Sequence, residues 1–264
     1  MFVRMRARAV LACLALAALP GTASGGTRLE PTAEAGRDLH VVVRNTGDET
    51  AHAVVPRLVY QHRTAEGDAV TLEPDAAHEW HLPLPPAPGP GAFPATVRVG
   101  YVDGFGRPGS VPLVVLIASA GAAAAPSVQA ALDVGPLAGV AHGKLLLDNR
   151  GPRPVAGRVV FVLPGGMSTE PESLPAQVAA GSRTIVPLAI ETRGPVPPGR
   201  HAVYAVFEYA EDGEHVTVVA TTDVASTAGR GPRARPLLVG FGALALTLTL
   251  LAVAWRRAAR RGQA

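Results

Sequence analysis

The sequence predicts an all-β protein in which two tandem β-sandwich domains precede one C-terminal transmembrane helix. Three observations support this prediction. Apolar and polar residues alternate over many short runs, one set of landmarks occurs twice, and an apolar run of about 19 residues lies near the C-terminus. Clusters of Pro and Gly separate the short runs, and no helical periodicity precedes the long apolar run.

The strand prediction rests on a period of two. Over residues 93–101 every second residue is apolar or aromatic, and Thr96 and Arg98 lie on the opposite face. Residues 203–209 repeat this pattern, with Val206 on the face opposite the predicted core. The other strand candidates span residues 51–60, 69–72, 79–84, 111–118, 128–134, 155–163, 183–191 and 215–222.

An internal repeat divides the β region into two copies. Asn45 and Asn149 are the only asparagines in the chain, and each ends an apolar run as Asn-x-Gly. Later in each copy a long strand-like run ends in a tyrosine followed by a turn glycine. The landmarks of the repeat are Asn45, Gly47, Tyr101, Gly104, Asn149, Gly151, Tyr209 and Gly213. They predict sandwich domains over residues 25–118 and 127–224, joined by an alanine-rich linker over residues 119–126.

These residues also carry a family resemblance. Each copy has a strand ending in Asn-x-Gly, a Leu-Pro type of turn at Leu72-Glu-Pro74 or Leu174-Pro175, and a long strand ending in Tyr and Gly. This pattern resembles the prokaryotic Ig-like repeats of the CARDB type, which implies an Ig-like sandwich fold in an exported protein. The order of segments along the chain is also similar to that of the WxL-interacting surface proteins.

The N-terminus has the layout of a secretory signal peptide over residues 1–24. Three arginines precede an apolar run over residues 9–19, and small residues follow Pro20. The only cysteine, Cys13, lies inside this segment, so we expect a mature protein without disulfides or thiol ligands. The exported region is acidic, because all 21 acidic residues lie between Glu30 and Asp223 while many arginines lie at the two ends. A nucleic-acid partner is therefore not expected.

The C-terminal part predicts a membrane anchor. A juxtamembrane linker over residues 225–235 leads to a transmembrane helix over 236–255 and a basic cytoplasmic tail over 256–264. A buried core helix is the alternative. The residues expected to anchor the helix end are Trp255, Arg256, Arg257, Arg260 and Arg261. We expect a single-pass protein of the cytoplasmic membrane, with its N-terminal domains periplasmic or extracellular.

One face of the predicted helix carries small residues at helical spacing. They are Gly242, Ala245, Thr249 and Ala252. Such a strip lets two helices approach closely, so it predicts a homodimer through the span, although alanine-rich composition alone is the competing explanation.

No motif in the sequence predicts catalytic, cofactor-binding or metal-binding residues. The strongest candidate is His78-Glu79-Trp80-His81. In a strand His78 and His81 face opposite sides, so we expect no shared metal and an inward Trp80 or Leu82. Asp103 and Asp212 are expected to shape turns, with a calcium site as the alternative, and Tyr101 and Tyr209 to be core residues whose hydroxyls reach a partner.

The expected function follows from this organisation. We predict a non-catalytic, membrane-anchored structural or protein-interaction module of the bacterial cell envelope, without cofactors and with another envelope protein as its partner. Two alternatives stay open. The C-terminal span is the processing signal of a surface-sorted protein, or the domains are carbohydrate-binding accessories, which usually need an exposed aromatic platform.

Overall fold

A computed structural model describes residues 26–119 and 126–226. Within these two ranges all regular structure is β, in sixteen strands and without a helix, which confirms the all-β prediction. None of the described residues forms a helix long and apolar enough to cross a membrane. The predicted signal peptide, transmembrane helix 236–255 with its strip of small residues, and basic tail lie outside the described residues, as do most of the two predicted linkers.

The first unit, residues 26–119, contains two antiparallel sheets. Its strands are β1 (Leu29–Ala35), β2 (Leu39–Asn45), β3 (Ala51–Tyr60), β4 (Arg63–Glu66), β5 (Val70–Leu72), β6 (Ala77–Leu82), β7 (Ala92–Val102) and β8 (Pro108–Ala118). One sheet has the order β1-β2-β6 and the other the order β4-β3-β7-β8, with β5 also paired to β3.

The second unit, residues 126–226, repeats this arrangement. Its strands are β9 (Val128–Val134), β10 (Val140–Asn149), β11 (Val155–Val162), β12 (Met167–Thr169), β13 (Ser173–Val178), β14 (Arg183–Thr192), β15 (Gly199–Glu211) and β16 (Glu214–Ser226). The sheet orders are β12-β14-β10-β9 and β13-β11-β15-β16. Strands β1, β2, β3, β6, β7 and β8 thus correspond in pairing to β9, β10, β11, β14, β15 and β16.

Each unit is a sandwich, because one apolar core draws side chains from both of its sheets. Val41 of β2 and Val97 of β7 belong to the first core, and Leu145 of β10 and Phe207 of β15 belong to the second. The alternation predicted for residues 93–101 is present: Ala95, Val97, Val99 and Tyr101 are buried, whereas Arg98 is exposed. Each fully buried large apolar side chain contributes roughly 1.5–3 kcal/mol to folding.

The strand boundaries show which strands the local alternation of apolar and polar residues predicts correctly. β3 and β9 begin and end at the predicted residues, but the strand predicted over residues 79–84 runs from Ala77 to Leu82. Pro83 has no amide hydrogen, so the ladder of hydrogen bonds with β2 ends before it. Strands β1, β4, β12 and β13 were not predicted, since they are short, polar or proline-containing and depend on their neighbours for pairing.

Candidate functional site

The two landmark asparagines occupy equivalent buried positions, and both are fully buried. Asn45 Nδ2 donates to the carbonyl oxygens of Glu49 at 2.8 Å and Leu72 at 3.0 Å. Its Oδ1 accepts a hydrogen bond from the Gly47 amide at 3.1 Å. One amide side chain therefore holds the loop after β2 and ties it to β5.

Asn149 forms the same set of bonds in the second unit. Its Nδ2 donates to the carbonyl oxygen of Arg153 at 2.8 Å and to that of Val178 at 3.3 Å, and its Oδ1 accepts from the Gly151 amide at 2.9 Å. The asparagine of each Asn-x-Gly motif thus stabilises the fold by holding a loop in place. Neither side-chain amide is available to a ligand.

The two tyrosine hairpins differ from one another. Asp212 and Gly213 have φ values of 52° and 84°, so they form the tight two-residue turn that matches the twist of β15 and β16. The hairpin between β7 and β8 is longer, and its left-handed glycine is Gly106, with φ of 77°, and not Gly104. Gly104 and Gly213, which are matching landmarks of the repeat, therefore have different backbone conformations.

The tyrosine side chains are buried, as expected, but only one has the expected partners. Tyr209 OH accepts a long hydrogen bond from the Val128 amide at 3.4 Å and lies 3.4 Å from Glu211 Oε2. Within the described ranges the Tyr101 hydroxyl has no hydrogen bond, although Tyr101 is only 8% exposed. The expectation of a hydroxyl partner is therefore met at Tyr209 and not at Tyr101.

Burial also changes the ionisation of the tyrosines. The chain has four of them, and burial raises the pKa of Tyr60, Tyr101, Tyr204 and Tyr209 above the ordinary 10.0. The folded state therefore favours the neutral hydroxyls. Their contribution to the free energy of unfolding is complete below pH 10 and is lost as the pH rises through the folded pKa values. We expect phenolate absorbance to rise only above pH 10 and together with unfolding. A folded protein that titrates like the same chain in denaturant would contradict this.

Asp103 organises the longer hairpin. It is 6% exposed, and its Oδ1 accepts from the amides of Phe105 at 2.9 Å and Arg107 at 2.8 Å, while its Oδ2 accepts from Arg107 Nε at 2.8 Å. Burial is the largest single influence and acts to raise the pKa of Asp103. The hydrogen bonds from Arg107 and Phe105 together outweigh it, so the pKa lies below the ordinary 3.8.

We expect Asp103→Ala to lower the free energy of unfolding by about 2–3 kcal/mol, because three donors lose a charged acceptor. The depressed pKa means that this contribution is present above about pH 4 and is lost as the pH falls through the folded pKa. Denaturant unfolding at pH 7 and at low pH measures both effects. Asp133→Ala is the control, since that side chain is 77% exposed, and an equal loss in the two variants would contradict the assignment.

The residues of the histidine cluster alternate between the two faces of the sheet β1-β2-β6, with His78 on the side of Trp80 and His81 on the outward side. Trp80 and Leu82 are buried, as predicted, and His78 packs edge-on against Trp80. His40 lies opposite His81 in the register of β2 and β6, and their rings stack with centroids 4.8 Å apart. The sequence could not show this pairing, because it depends on the register of two strands far apart in the chain.

Each of these two histidines has its own carboxylate partner. His40 Nε2 lies 3.2 Å from Glu79 Oε2, and His81 Nδ1 lies 2.9 Å from Asp38 Oδ2. Among the described residues, no three His, Cys, Asp or Glu side chains form a group that could hold a metal ion. The arrangement is that of two separate histidine–carboxylate contacts near the surface, which contribute little to stability.

The two units meet in a junction formed by β7 and β8 on one side and β15 and β16 on the other. The His215 amide donates to the carbonyl oxygen of Pro90 at 3.0 Å, and Thr217 Oγ1 donates to that of Ala92 at 2.7 Å. The rings of Phe93 and His215 stack with centroids 4.4 Å apart and planes 4° from parallel. Thr217 is only 3% exposed, so its hydroxyl depends on this bond across the junction.

A second group of contacts joins β7 and β8 to the segment between β11 and β12 of the second unit. Arg98 Nη1 donates to the carbonyl oxygen of Leu163 at 3.0 Å, and the Gly165 amide donates to that of Ser110 at 3.1 Å. Val206 was predicted to face away from the core, and it does, yet it is only 2% exposed. This outward position is therefore covered by the fold, and β8 of the first unit is among the strands that contact β15.

An open cavity of about 300 Å³ lies at one edge of the first unit, away from these contacts. Its walls come from the hairpin of β3 and β4 and from the proline-containing segment that follows β6. The lining residues are Leu58, Tyr60, Arg63, Thr64, Ala65, Pro83, Leu84 and Pro85. No sequence motif marks these residues as a site, because they are ordinary strand and turn residues that only the closing of the sandwich brings together.

No protein-family model and no curated protein matches this chain. Among solved structures the chain is similar to an Escherichia coli alpha-2-macroglobulin activated by porcine elastase, with 12% identity and a TM-score of 0.31 over 76% of this chain and 22% of that one. A red sea bream transglutaminase is 16% identical over 76% of this chain and 31% of that one, with a TM-score of 0.28. This chain thus spans only a minor part of either protein.

The chain is also similar to the YadV chaperone, with 13% identity and a TM-score of 0.34 over 74% of this chain and 99% of the chaperone. A further match is the CsuC-CsuE chaperone-tip adhesion subunit pre-assembly complex of Acinetobacter baumannii. It is 12% identical over 74% of this chain and 97% of that one, with a TM-score of 0.31. At these scores the similarities identify neither a shared family nor a function.

Proposed function

We propose that this protein is a non-catalytic, membrane-anchored module of the bacterial cell envelope whose two Ig-like sandwiches present a protein-interaction surface outside the cytoplasmic membrane. The apolar run over residues 237–255 and the arginines after it support the anchor. The signal-like N-terminus supports export of the region between them.

The strand orders support Ig-like sandwiches. In each unit the first two strands pair beside a later strand in one sheet, and the third strand joins the last two in the other. This division of early and late strands between two antiparallel sheets is typical of Ig-like domains. Because many unrelated functions share this architecture, the role has to be argued from surfaces.

The observation that carries the proposed role is the junction between the two units. Backbone and side-chain hydrogen bonds and the stacked Phe93 and His215 rings join the units directly, in addition to the covalent connection. Two sandwiches held in this way can present one continuous surface to a large partner, because little conformational entropy is lost when that partner binds.

Position and exposure of the aromatic residues disfavour the carbohydrate-binding alternative. Trp80 is 6% exposed, and its indole Nε1 donates to the carbonyl oxygen of Asp68 at 2.9 Å. Its ring is therefore part of the first core and offers no stacking platform to a sugar. Phe105 is 71% exposed, but Arg107 lies over its ring.

Crosslinking in the native envelope, followed by purification of the intact chain, tests the proposed function. A second bait lacking residues 230–264 separates the exported units from the predicted span. We expect one envelope protein to crosslink to both baits. Recovery with the intact bait alone would assign recognition to the span, and hydrolysis of glycans or peptides by the purified chain would overturn the non-catalytic role.

The membrane anchor needs its own test. Reporter fusions after residue 228 and after residue 264 should show opposite sides of the cytoplasmic membrane, and mass spectrometry should find residues 256–264 in the mature protein. A mature chain that ends before residue 237 would favour the alternative of a C-terminal processing signal.

A further inference from the structure

The outward face of β9, β10 and β14 in the second unit carries a row of apolar side chains. Leu146 of β10 lies between Ala131 of β9 and Ile185 of β14 in the register of the three strands. The residue that follows each of them along its strand is a buried member of the second core, so all three point away from that core. Ala131 is exposed, Leu146 is half-buried and Ile185 is 62% exposed. We call these three residues the Leu146 row.

Two further rows flank the Leu146 row on the same face and carry balanced charge. One row contains Asp133, Lys144 and Pro187, and the other contains Gln129, Asp148 and Arg183. Two acids and two bases cancel, although the exported region as a whole is acidic. Among the described residues Lys144 and Asp148 form only long ion pairs, at 3.4, 3.5 and 3.7 Å. Both side chains reach the surface, with 57% of Lys144 and 19% of Asp148 exposed, so each can pair with a further opposite charge.

The equivalent face of the first unit is polar. There Val42 takes the place of Leu146, three residues before the landmark asparagine in each unit. Its neighbours in register are Thr32 and Glu79, where the second unit has alanine and isoleucine. A sandwich with this strand order thus folds with polar residues at these positions. Folding alone therefore does not account for the apolar row of the second unit.

A two-fold axis along the Leu146 row lays this face on a second copy of itself, and each residue of the row then meets its own copy. The axis exchanges the two flanking rows, because they lie at equal distances on either side of it. Lys144 comes to lie over Asp148 of the second copy, and Asp148 over its Lys144. The other flanking positions bring an acid over an amide and a proline over an arginine. Within these three strands no two like charges meet.

The same operation on the first unit brings like charges together. An axis along the row of Val42 sets Glu79 against Glu79 of the other copy. In the flanking rows it sets Glu34 over Glu30 of the other copy. Like charges that face one another oppose association. Only the face of the second unit is therefore complementary to itself, although the two faces have the same strand order.

We propose that two copies of this chain pair through the outward face of β9, β10 and β14, with the Leu146 row on the two-fold axis. An ion pair between Lys144 and Asp148 lies on each side of that axis. Removal of the apolar row from water drives the contact. The ion pairs fix the register of the two sheets, because a shift along the strands separates the opposite charges.

The area of the face predicts a weak dimer. Residues 183–189 and their partners on two strands cover roughly 300 Å², at about 3.3 Å per residue and about 4.8 Å per strand. A stable interface buries about 800 Å² of each partner. Pairing therefore needs a high local concentration, which confinement of both copies to one membrane supplies. For this concentration the pairing rests on the proposed membrane anchor.

Cysteine crosslinking of the intact chain in its own membrane tests the proposal, because a residue on a two-fold axis meets its own copy. Facing sheets lie about 10 Å apart, which exceeds the reach of a disulfide, so a short bismaleimide is used in a chain with Cys13→Ala. We expect Leu146→Cys to give about tenfold more crosslinked dimer than Val42→Cys, the half-buried equivalent in the first unit. With Gly242→Leu and Ala245→Leu added in the predicted span, the crosslink should persist.

Substitutions in the row and beside it give the second comparison. Ile185→Glu copies the residue that the first unit has at this position, so the fold should tolerate it. It should reduce the Leu146→Cys dimer about tenfold at an unchanged melting temperature, because the two acids meet on the axis. Lys144→Asp and Asp148→Lys should each reduce the dimer about fivefold, since like charges then face one another. The two changes combined restore opposite charges and should recover the dimer.

Equal crosslinking at Leu146 and Val42, a combined charge variant as weak as its two parents, or loss of the crosslink with the changes in the span would each overturn the proposal. An adduct with a different protein in place of the dimer would do the same. Reporter fusions test the anchor separately. If they contradict the anchor while the pattern of crosslinks holds, the pairing face stands and the anchor falls. An anchored chain without a Leu146→Cys dimer has the reverse meaning.

Discussion

Asn45→Asp should lower the free energy of unfolding of the first unit by about 3–5 kcal/mol, the range for a buried charge left without a partner. The variant replaces Nδ2, which donates to the carbonyl oxygens of Glu49 and Leu72, with a carboxylate oxygen that those carbonyls repel. Asn149→Asp should have the same effect on the second unit, because Asn149 donates to Arg153 and Val178 in the same way.

Denaturant unfolding of the intact chain measures this effect. Trp80 reports on the first unit once Trp255→Phe has removed the other tryptophan, and far-ultraviolet circular dichroism reports on both units. The loss should be smaller at acidic pH, because a protonated carboxyl again supplies one donor. Gln129→Glu makes the same amide-to-carboxylate change at an exposed position of β9 and should cost less than about 0.5 kcal/mol. Equal losses in Asn45→Asp and Gln129→Glu would show that the buried amide is not required.

Gly91→Ala should open the junction between the two units. Gly91 has φ of 120°, and an added Cβ would lie 2.0 Å from the carbonyl oxygen of His215. Relief of this clash must separate the backbones around Pro90 and His215. The separation removes two hydrogen bonds across the junction, each with a net value of about 1 kcal/mol.

Pulsed electron paramagnetic resonance between one spin label on each unit measures the change. The labels go on exposed cysteines introduced at Arg44 and Gln129, with Cys13 replaced. Gly89→Ala is the matched control, because no atom lies within 4 Å of the added Cβ and the φ of Gly89 is outside the left-handed region. We expect a broad distance distribution for Gly91→Ala and a narrow one for Gly89→Ala. Two equally narrow distributions would show that these contacts do not hold the junction together.

The same variant links the junction to the proposed function. If the two units present one continuous surface, Gly91→Ala should reduce crosslinking to the envelope partner while each unit stays folded. Unchanged crosslinking would place recognition on a single unit and leave the junction a purely structural role.

Local sequence patterns were sufficient to predict the all-β class and the positions of the central strands. Alternation over residues 93–101 predicts the buried face of β7, since a strand that lies against a core on one face must alternate. The Asn-x-Gly motifs mark Asn45 and Asn149, whose side chains are fully buried and hydrogen-bonded in the structure. The hydrogen-bond partners of these two asparagines could not be predicted. Leu72 and Val178, whose carbonyl oxygens accept these bonds, are distant in the sequence from Asn45 and Asn149.

The candidate site and the junction were decided by tertiary structure alone. The stacking of Phe93 on His215 and the pairing of His40 with His81 join residues that no local period connects. The cavity beside Tyr60 exists only because two sheets close on one core and leave a gap at their edge. The sequence by itself therefore determined which residues form strands and which face of each strand is buried, since both depend on near neighbours. Register, packing between sheets and contact between units depend on residues far apart in the chain, and only the folded structure determines them.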